Sequence, residues 1–175
     1  LHAFSGCSNL ADISFSGMTI GGIGTEAFSG CGSLTNLNIN DVATIGSMDD
    51  AAFAWSGLRS TGLDKVVGLS SIPENAYNGC SALTDTGLGG NTSITSIGVN
   101  AFKNCSRLAT TGLENNTTIK TLREGCFSGT NMSGGLTLPL YSKIEELPSR
   151  AFYGSKLETV YFGCDHVVLI NSTTF

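Results

Sequence analysis

The apolar residues of this chain recur with a fixed period, and an aromatic residue marks each copy of the pattern. When that aromatic is taken as the anchor of a copy, successive anchors are 23 to 25 residues apart. The eight anchors are Phe4, Phe28, Phe53, Tyr77, Phe102, Phe127, Phe152 and Phe175. Self-similarity at such a period is the signature of a stacked repeat architecture. The spacing therefore predicts about seven repeats that form a single unit over residues 1–175.

Two further apolar columns keep the same period. Eight places before the second and each later anchor stand Ile20, Ile45, Leu69, Ile94, Ile119, Ile144 and Val167. Five places before the same anchors stand Ile23, Met48, Ile72, Ile97, Leu122, Leu147 and Ile170. Because all fourteen positions are apolar in a chain that is 41% hydrophobic, we expect one buried face that each repeat contributes to in turn.

Each repeat carries two strand-like patterns and one turn. After the anchor, a pattern of the form L-x-x-L-x-L alternates apolar and polar residues, as in "LTNLNI" from Leu34 and "LETVYF" from Leu157, which is typical of a half-buried strand. Three middle copies vary it, as in "LTDTGL" from Leu83. A second short apolar pair, such as "ITSI" from Ile94, leads through Gly or Pro into the aromatic corner. The pattern predicts a mainly β solenoid of parallel strands and tight corners.

Composition and charge exclude several classes of protein. The net charge is −5, and the nine Lys and Arg residues are scattered singly, whereas a nucleic-acid partner requires a clustered basic surface. No apolar run approaches the roughly 18 residues of a membrane span. The chain begins within a repeat and stops on an anchor, without the polar cap of a finished solenoid. We therefore expect these residues to be a fragment of a longer array.

The cysteines and histidines provide no recognisable catalytic or metal motif. Cys7, Cys31, Cys80 and Cys105 occupy one column, which leaves open disulfides or buried free thiols; an interior column favours free thiols. His2 and His166 lie at opposite ends of the predicted solenoid, and nucleophilic catalysis needs a His base beside the nucleophile. We predict that the protein is not an enzyme and has no cofactor or metal.

Three segments carry a resemblance to a known family. They are "IGTEAFSGCGSLTNLNI" (23–39), "IPENAYNGCSALTDTGL" (72–88) and "IGVNAFKNCSRLATTGL" (97–113). These segments resemble the BspA-type leucine-rich repeats named for a Bacteroides surface protein. The resemblance implies a right-handed leucine-rich-repeat coil in a secreted or surface protein, attached to the outer membrane or cell wall. It also implies non-catalytic binding of host matrix proteins, other cells or glycans, and we expect a monomer. The alternative is a structural spacer that displays other domains.

Two sets of residues are candidates for binding. The polar positions of the L-x-x-L-x-L pattern should form an exposed strip, with a line of glycines at Gly62, Gly87 and Gly112. We select from this strip Asn36, Asn38, Arg59, Asp85, Thr110 and Tyr161. The other candidates are Trp55 and Tyr153, which replace small or polar residues beside their anchors. Such aromatics either anchor a partner or cover a gap left by their shorter repeats, and the strip either binds or is an inert sheet.

Six asparagines begin the pattern N-x-[ST] of a glycan acceptor. They are Asn91, Asn104, Asn115, Asn116, Asn131 and Asn171. In a bacterial protein the matches would be incidental, whereas in a secreted eukaryotic protein some could carry glycans on exposed turns.

Overall fold

The computed structural model describes residues 1–175 and shows a solenoid of short parallel strands. The strands are β1 (Thr19–Ile20), β2 (Ala43–Ile45), β3 (Val66–Val67), β4 (Ser71–Ile72), β5 (Ser96–Ile97), β6 (Thr121–Leu122), β7 (Ser133–Leu138), β8 (Glu146–Leu147), β9 (Lys156–Phe162) and β10 (Leu169–Ile170). One sheet contains β1, β2 and β3, a second contains β4, β5 and β6, and two-stranded sheets pair β8 with β10 and β7 with β9. All pairs are parallel, so the predicted repeat solenoid is confirmed.

The anchors form a continuous stack of rings along the axis of the solenoid. Successive ring centroids lie 5.2 to 5.9 Å apart, and neighbouring ring planes are within 17° of parallel. The rings from Phe53 to Phe152 are completely buried, whereas Phe4 and Phe175 at the ends are 45% and 51% exposed. One column of aromatic residues thus supplies the largest fully buried side chains of the interior repeats.

The chain turns at each anchor, and a residue with a left-handed backbone conformation lies on either side of the anchor. The residues two places before an anchor have φ between 52° and 63°, and they are His2, Glu26, Ala51, Asn75, Asn100, Gly125 and Arg150. The residues two places after an anchor have φ between 59° and 76°, and they are Gly6, Gly30, Trp55, Gly79, Asn104, Gly129 and Gly154. Glycine and asparagine dominate the second column because the left-handed region disfavours most side chains.

This backbone joins successive corners by regular hydrogen bonds. Around Phe102, the N–H groups of Asn100, Phe102 and Asn104 donate to carbonyls of the next repeat at 2.9, 2.8 and 2.8 Å. The same three bonds recur from corner to corner. Since backbone polar groups must be paired when they are buried, these bonds offset the strain of the left-handed residues.

The two strand-like patterns behave differently. The second apolar pair forms the strands β4, β5, β6, β8 and β10, as the sequence predicts. The L-x-x-L-x-L pattern forms long strands only in β9 and in β7 beside it; in the earlier copies it is reduced to isolated bridges, Asp12 to Asn36 and Ser60 to Asp85. The prediction of a strand in every copy is therefore wrong. Alternation places side chains on two faces without requiring continuous backbone pairing.

The middle copies turn where the sequence predicts an exposed glycine line. Gly62, Gly87 and Gly112 have φ of 68°, 65° and 79°, and each begins a 3₁₀ helix: Leu63–Lys65, Leu88–Gly90 and Leu113–Asn115. Gly87 is buried, and a Cβ there would lie 2.8 Å from two backbone nitrogens of the preceding repeat. The prediction that these glycines form an exposed line is therefore wrong. Glycine is required at these positions because φ is positive and the backbone of the preceding repeat approaches closely.

Two asparagines hold the turns of neighbouring middle repeats together. The Asn116 amide donates to the carbonyls of Leu88 and Asn91 at 2.7 and 3.0 Å, and its side-chain oxygen accepts the N–H groups of Thr118 and Ile119. Asn91 makes the equivalent bonds one repeat earlier. Both side chains are buried, so neither can carry a glycan.

The cysteine column is largely interior, and all six cysteines are free. Buried thiols donate to anchor carbonyls of the preceding repeat, and the pairs are Cys31 to Phe4, Cys80 to Phe53 and Cys105 to Tyr77, at 3.1, 3.1 and 3.2 Å. Burial raises the pKa of Cys80 to about 11 and that of Cys126 to about 12. Cys7, which lies in the first corner of this chain, is exposed, contrary to the prediction for this column.

The fourteen apolar positions are buried with three exceptions. Ile20 is partly buried, while Val167 and Ile170 are 81% and 52% exposed. The two exposed residues belong to the last repeat, where no further repeat covers them. The interior face predicted by the period is thus present wherever a repeat has neighbours on both sides.

Candidate functional site: the corner face

Trp55 is exposed on the corner of its repeat in a strained conformation. Its φ is 59°, in a region where a bulky residue is an outlier that costs about 1 to 3 kcal/mol. The equivalent residue is glycine in five other repeats and Asn104 in one. The side chain is nevertheless 60% exposed, so burial of the ring contributes little to offset that strain.

The Trp55 ring lies over the backbone of the next repeat. A Cβ built on Gly79 would be 2.3 Å from Cε3 of Trp55, which shows that the indole occupies the space above that glycine. Beneath the ring, Ser56 and Cys80 are buried and their Oγ and Sγ atoms are 3.3 Å apart. The ring therefore covers Gly79, which is buried, while most of the Trp55 side chain stays exposed.

Tyr153 lines a cleft on the same corner, four repeats further along the solenoid. The cleft has a volume of ≈ 570 Å³. Its lining residues are Lys103, Asn104, Ser128, Gly129, Arg150, Tyr153, Gly154, Ser172, Thr173 and Phe175. We call it the corner cleft. Trp55 and the floor of the cleft belong to one column, because Trp55, Gly79, Asn104 and Gly129 are all two places after their anchors.

The floor of the corner cleft is flat because its residues are small. A Cβ on Gly129 would lie 2.6 Å from Oδ1 of Asn104, so the amide of Asn104 borders the space that a side chain would fill. The Ser128 hydroxyl donates to the carbonyl of Tyr153 at 3.3 Å. Tyr153 itself is 58% exposed. The cleft thus presents an aromatic ring, an amide and a hydroxyl beside two cations.

Charge divides the corner face into two halves. We define a corner as the residues within four places of an anchor. The corners of Phe28, Phe53 and Tyr77 contain no Lys or Arg and four acids, Glu26, Asp49, Asp50 and Glu74. Those of Phe102, Phe127 and Phe152 contain one acid, Glu124, and four bases, Lys103, Arg123, Arg150 and Lys156. The formal charges are therefore −4 on the first half and +3 on the second.

The cations of the cleft are weakly paired. Arg150 lies 3.9 Å from Glu124, with both side chains more than half exposed, and such a pair contributes about 0 to 1 kcal/mol. Lys103 is in no ion pair within 4 Å. Both cations are available to an anion in the cleft.

The predicted strip is separate from the corner. Its members Asn36, Arg59, Asp85, Thr110 and Tyr161 are exposed, and bridges and backbone bonds align them from repeat to repeat.

Two side chains of the strip form hydrogen bonds with backbone groups. The amide of Asn38, which is half-buried, donates to the carbonyl of Ile13 at 2.9 Å. Oδ1 of Asp85 accepts the N–H of Gly87 at 2.9 Å. The structure therefore places Trp55 and Tyr153 on the same corner face, four repeats apart, and leaves the strip as a second surface.

Sequence reasoning did not identify Lys103, Ser128 and Arg150 as site residues. Each is unremarkable in its own repeat, and they meet only because three corners stack. A signal exists in the aligned columns, where bases are confined to the last three complete corners.

Comparison with known proteins supports the repeat assignment. The model of the BspA type leucine rich repeat region matches in six copies, over residues 1–84 and 46–175, and so covers the whole chain. The chain belongs to the BspA-type leucine-rich-repeat family. Members of this family have the architecture of proteins for binding or scaffolding, and the fold is typically non-catalytic.

A solved relative shows the same fold as this BspA-type chain. A leucine-rich repeat protein from Bacteroides ovatus ATCC 8483 superposes with a TM-score of 0.52 at 16% sequence identity. The alignment covers 97% of the BspA-type chain and 57% of the other, so the chain spans little more than half the length of that relative. No curated protein sequence matches. The BspA-type chain contains no helix with the length and apolar character needed to cross a bilayer.

Proposed function

We propose that this chain is a non-catalytic binding or adhesion module of a secreted or cell-surface protein. It recognises a host extracellular-matrix protein, a cell-surface protein or a glycan as a monomer, through its corner face. The parent protein is attached to the outer membrane or cell wall. The family supports the coarse statement that the repeats bind or scaffold.

The observation that carries the proposal is the strained, exposed Trp55. Its backbone is disfavoured for tryptophan, and its side chain is 60% exposed although the ring covers Gly79. Tryptophan is among the residues that most often dominate binding energy at interfaces. A strained residue whose large side chain stays mostly in solvent is the kind of outlier from which a functional role is inferred.

Replacement of Trp55 by glycine separates a binding role from a structural one. We expect Trp55→Gly to raise the free energy of unfolding by about 1 kcal/mol because glycine suits the left-handed backbone. Binding to a panel of immobilised host matrix glycoproteins and glycans should fall about tenfold or more. Urea unfolding and surface plasmon resonance measure the two effects.

Tyr141→Ala is the matched control, because Tyr141 is 74% exposed and lies outside the corners. It should leave binding unchanged. If a folded chain binds nothing on the panel, the proposal is wrong and the spacer alternative, a module that displays other domains, takes its place. Loss of stability in Trp55→Gly would instead show that the ring is structural.

A further inference from the structure

We infer that the corner cleft binds an acidic glycan, a sugar chain that carries carboxylate or sulfate groups. This inference rests on the proposed function and names the ligand class for one part of the corner face. Three features support it: the side chains in the cleft, the charge of the surrounding corners and the hydrogen bonding of the backbone N–H groups on the cleft floor.

The side chains of the cleft match the two chemistries of an acidic sugar. The exposed ring of Tyr153 offers an apolar face for the C–H surface of a pyranose. The amide of Asn104 and the hydroxyl of Ser128 can bond to sugar hydroxyl groups. The Lys103 ammonium and the Arg150 guanidinium can pair with carboxylate or sulfate through charge-assisted hydrogen bonds, which are stronger than those between neutral groups.

The field of the corner face favours an anion in this half alone. The chain as a whole has a net charge of −5, yet the three corners around the cleft sum to +3. The neighbouring three corners, with their four acids, repel an anion and would confine it to the cleft. The positive charge of one half of the corner face and the negative charge of the other half therefore favour an anionic ligand and favour its binding at the cleft.

The backbone of the cleft favours a glycan over a peptide. A peptide that adds to a repeat surface as an extended strand needs free main-chain donors and acceptors. On the cleft floor the N–H groups of Asn104 and Gly129 already donate to Ser128 and Tyr153, both at 2.8 Å. At these two floor positions no main-chain donor is left for a peptide strand, so recognition there depends on side chains.

Binding to defined oligosaccharides tests the inference. The probes are a heparin oligosaccharide, an oligogalacturonate and a neutral dextran oligomer of similar length, measured by isothermal titration calorimetry. We expect the two acidic probes to bind at least about tenfold more tightly than dextran. Lys103→Ala and Arg150→Ala should each weaken acidic binding about tenfold, and Tyr153→Ala should weaken it as well, which a purely electrostatic patch would not show.

The control is the double variant Lys65→Ala with Lys143→Ala, which removes two exposed cations outside the corners. It should change binding by less than about twofold, since exposed charges beyond a Debye length are largely screened. An equal loss in the control and in the Lys103→Ala with Arg150→Ala variant would overturn the cleft as the site. Equally tight binding of an oligoglutamate peptide would overturn the glycan.

The outcomes also separate this inference from the proposed function. If matrix glycoproteins are captured through Trp55 while acidic oligosaccharides do not bind, the acidic-glycan site is wrong and the binding module stands. If the folded chain binds no probe of either kind, both fail.

Discussion

Among the residues, Tyr77 shows a mismatch between type and environment. It is the one anchor that is not phenylalanine, and its ring stacks between those of Phe53 and Phe102 at 5.5 and 5.3 Å. The side chain is completely buried and its hydroxyl has no hydrogen-bond partner. Burial raises the pKa of this phenol far above its ordinary value. The hydroxyl is thus desolvated without compensation.

Removal of that hydroxyl should stabilise the fold. We expect Tyr77→Phe to raise the free energy of unfolding by about 1 kcal/mol, because an unpaired buried polar group costs about 1 to 3 kcal/mol. Urea denaturation followed by circular dichroism measures the change. Tyr153→Phe, at an exposed ring, should have no effect. A loss of stability in Tyr77→Phe would mean that the hydroxyl finds a partner.

Among the elements, the turns of the middle repeats depend on one side chain each. Leu63–Lys65 and Leu88–Gly90 are 3₁₀ helices of three residues, too short to be stable alone, and the amides of Asn91 and Asn116 bind their carbonyl groups. The Asn116 side chain makes five hydrogen bonds that join its own strand entry to the preceding turn. Loss of the Asn116 side chain would leave the buried carbonyl and N–H groups that it binds without partners.

Adjacent asparagines provide a matched test of that network. We expect Asn116→Ala to lower the free energy of unfolding by about 3 kcal/mol, since it orphans buried carbonyl and N–H groups. Asn115→Ala, one residue away and exposed, should change stability by less than about 0.5 kcal/mol. Equal effects of the two variants in chemical denaturation would show that the buried network contributes nothing.

The sequence predicts those parts of each element that depend on a period, and misses those that depend on neighbouring repeats. The anchors and apolar columns follow from spacing alone, and their burial confirms the fold. The strand expected at "LTDTGL" is instead a turn, because Gly87 takes a left-handed conformation against the preceding repeat's backbone. The corner cleft escaped prediction because Lys103, Ser128 and Arg150 come from three successive repeats.

The whole molecule is a one-dimensional stack in which each repeat contacts its neighbours. Strand pairing and ring stacking link only successive repeats, so stability is approximately a sum of repeat and interface contributions. Phe102 is covered on both sides and completely buried, whereas Phe4 is covered on one side and 45% exposed. Position in the stack should therefore determine the effect of the same substitution.

Substitution of the two anchors tests this dependence. We expect Phe102→Ala to destabilise the protein by about 3 to 5 kcal/mol, through lost burial and the cavity left behind. Phe4→Ala should cost less than half of that, because part of its surface already contacts water. Thermal and urea unfolding measure both variants. Equal losses would contradict nearest-neighbour stability.

The hydrogen bonds between corners have an electrostatic consequence for the whole molecule. In each corner from Phe4 to Phe127 three peptide groups direct their N–H toward the following repeat, with the C=O of each peptide group on the opposite side. Peptide dipoles of about 3.5 D add when they are aligned head to tail, as in a helix, so the corner is a permanent dipole with its positive pole toward Phe175. The acids lie toward the negative pole and the bases toward the positive one. The charged side chains therefore add to the dipole of the backbone instead of neutralising it. The corner face has a permanent dipole along the axis of the solenoid.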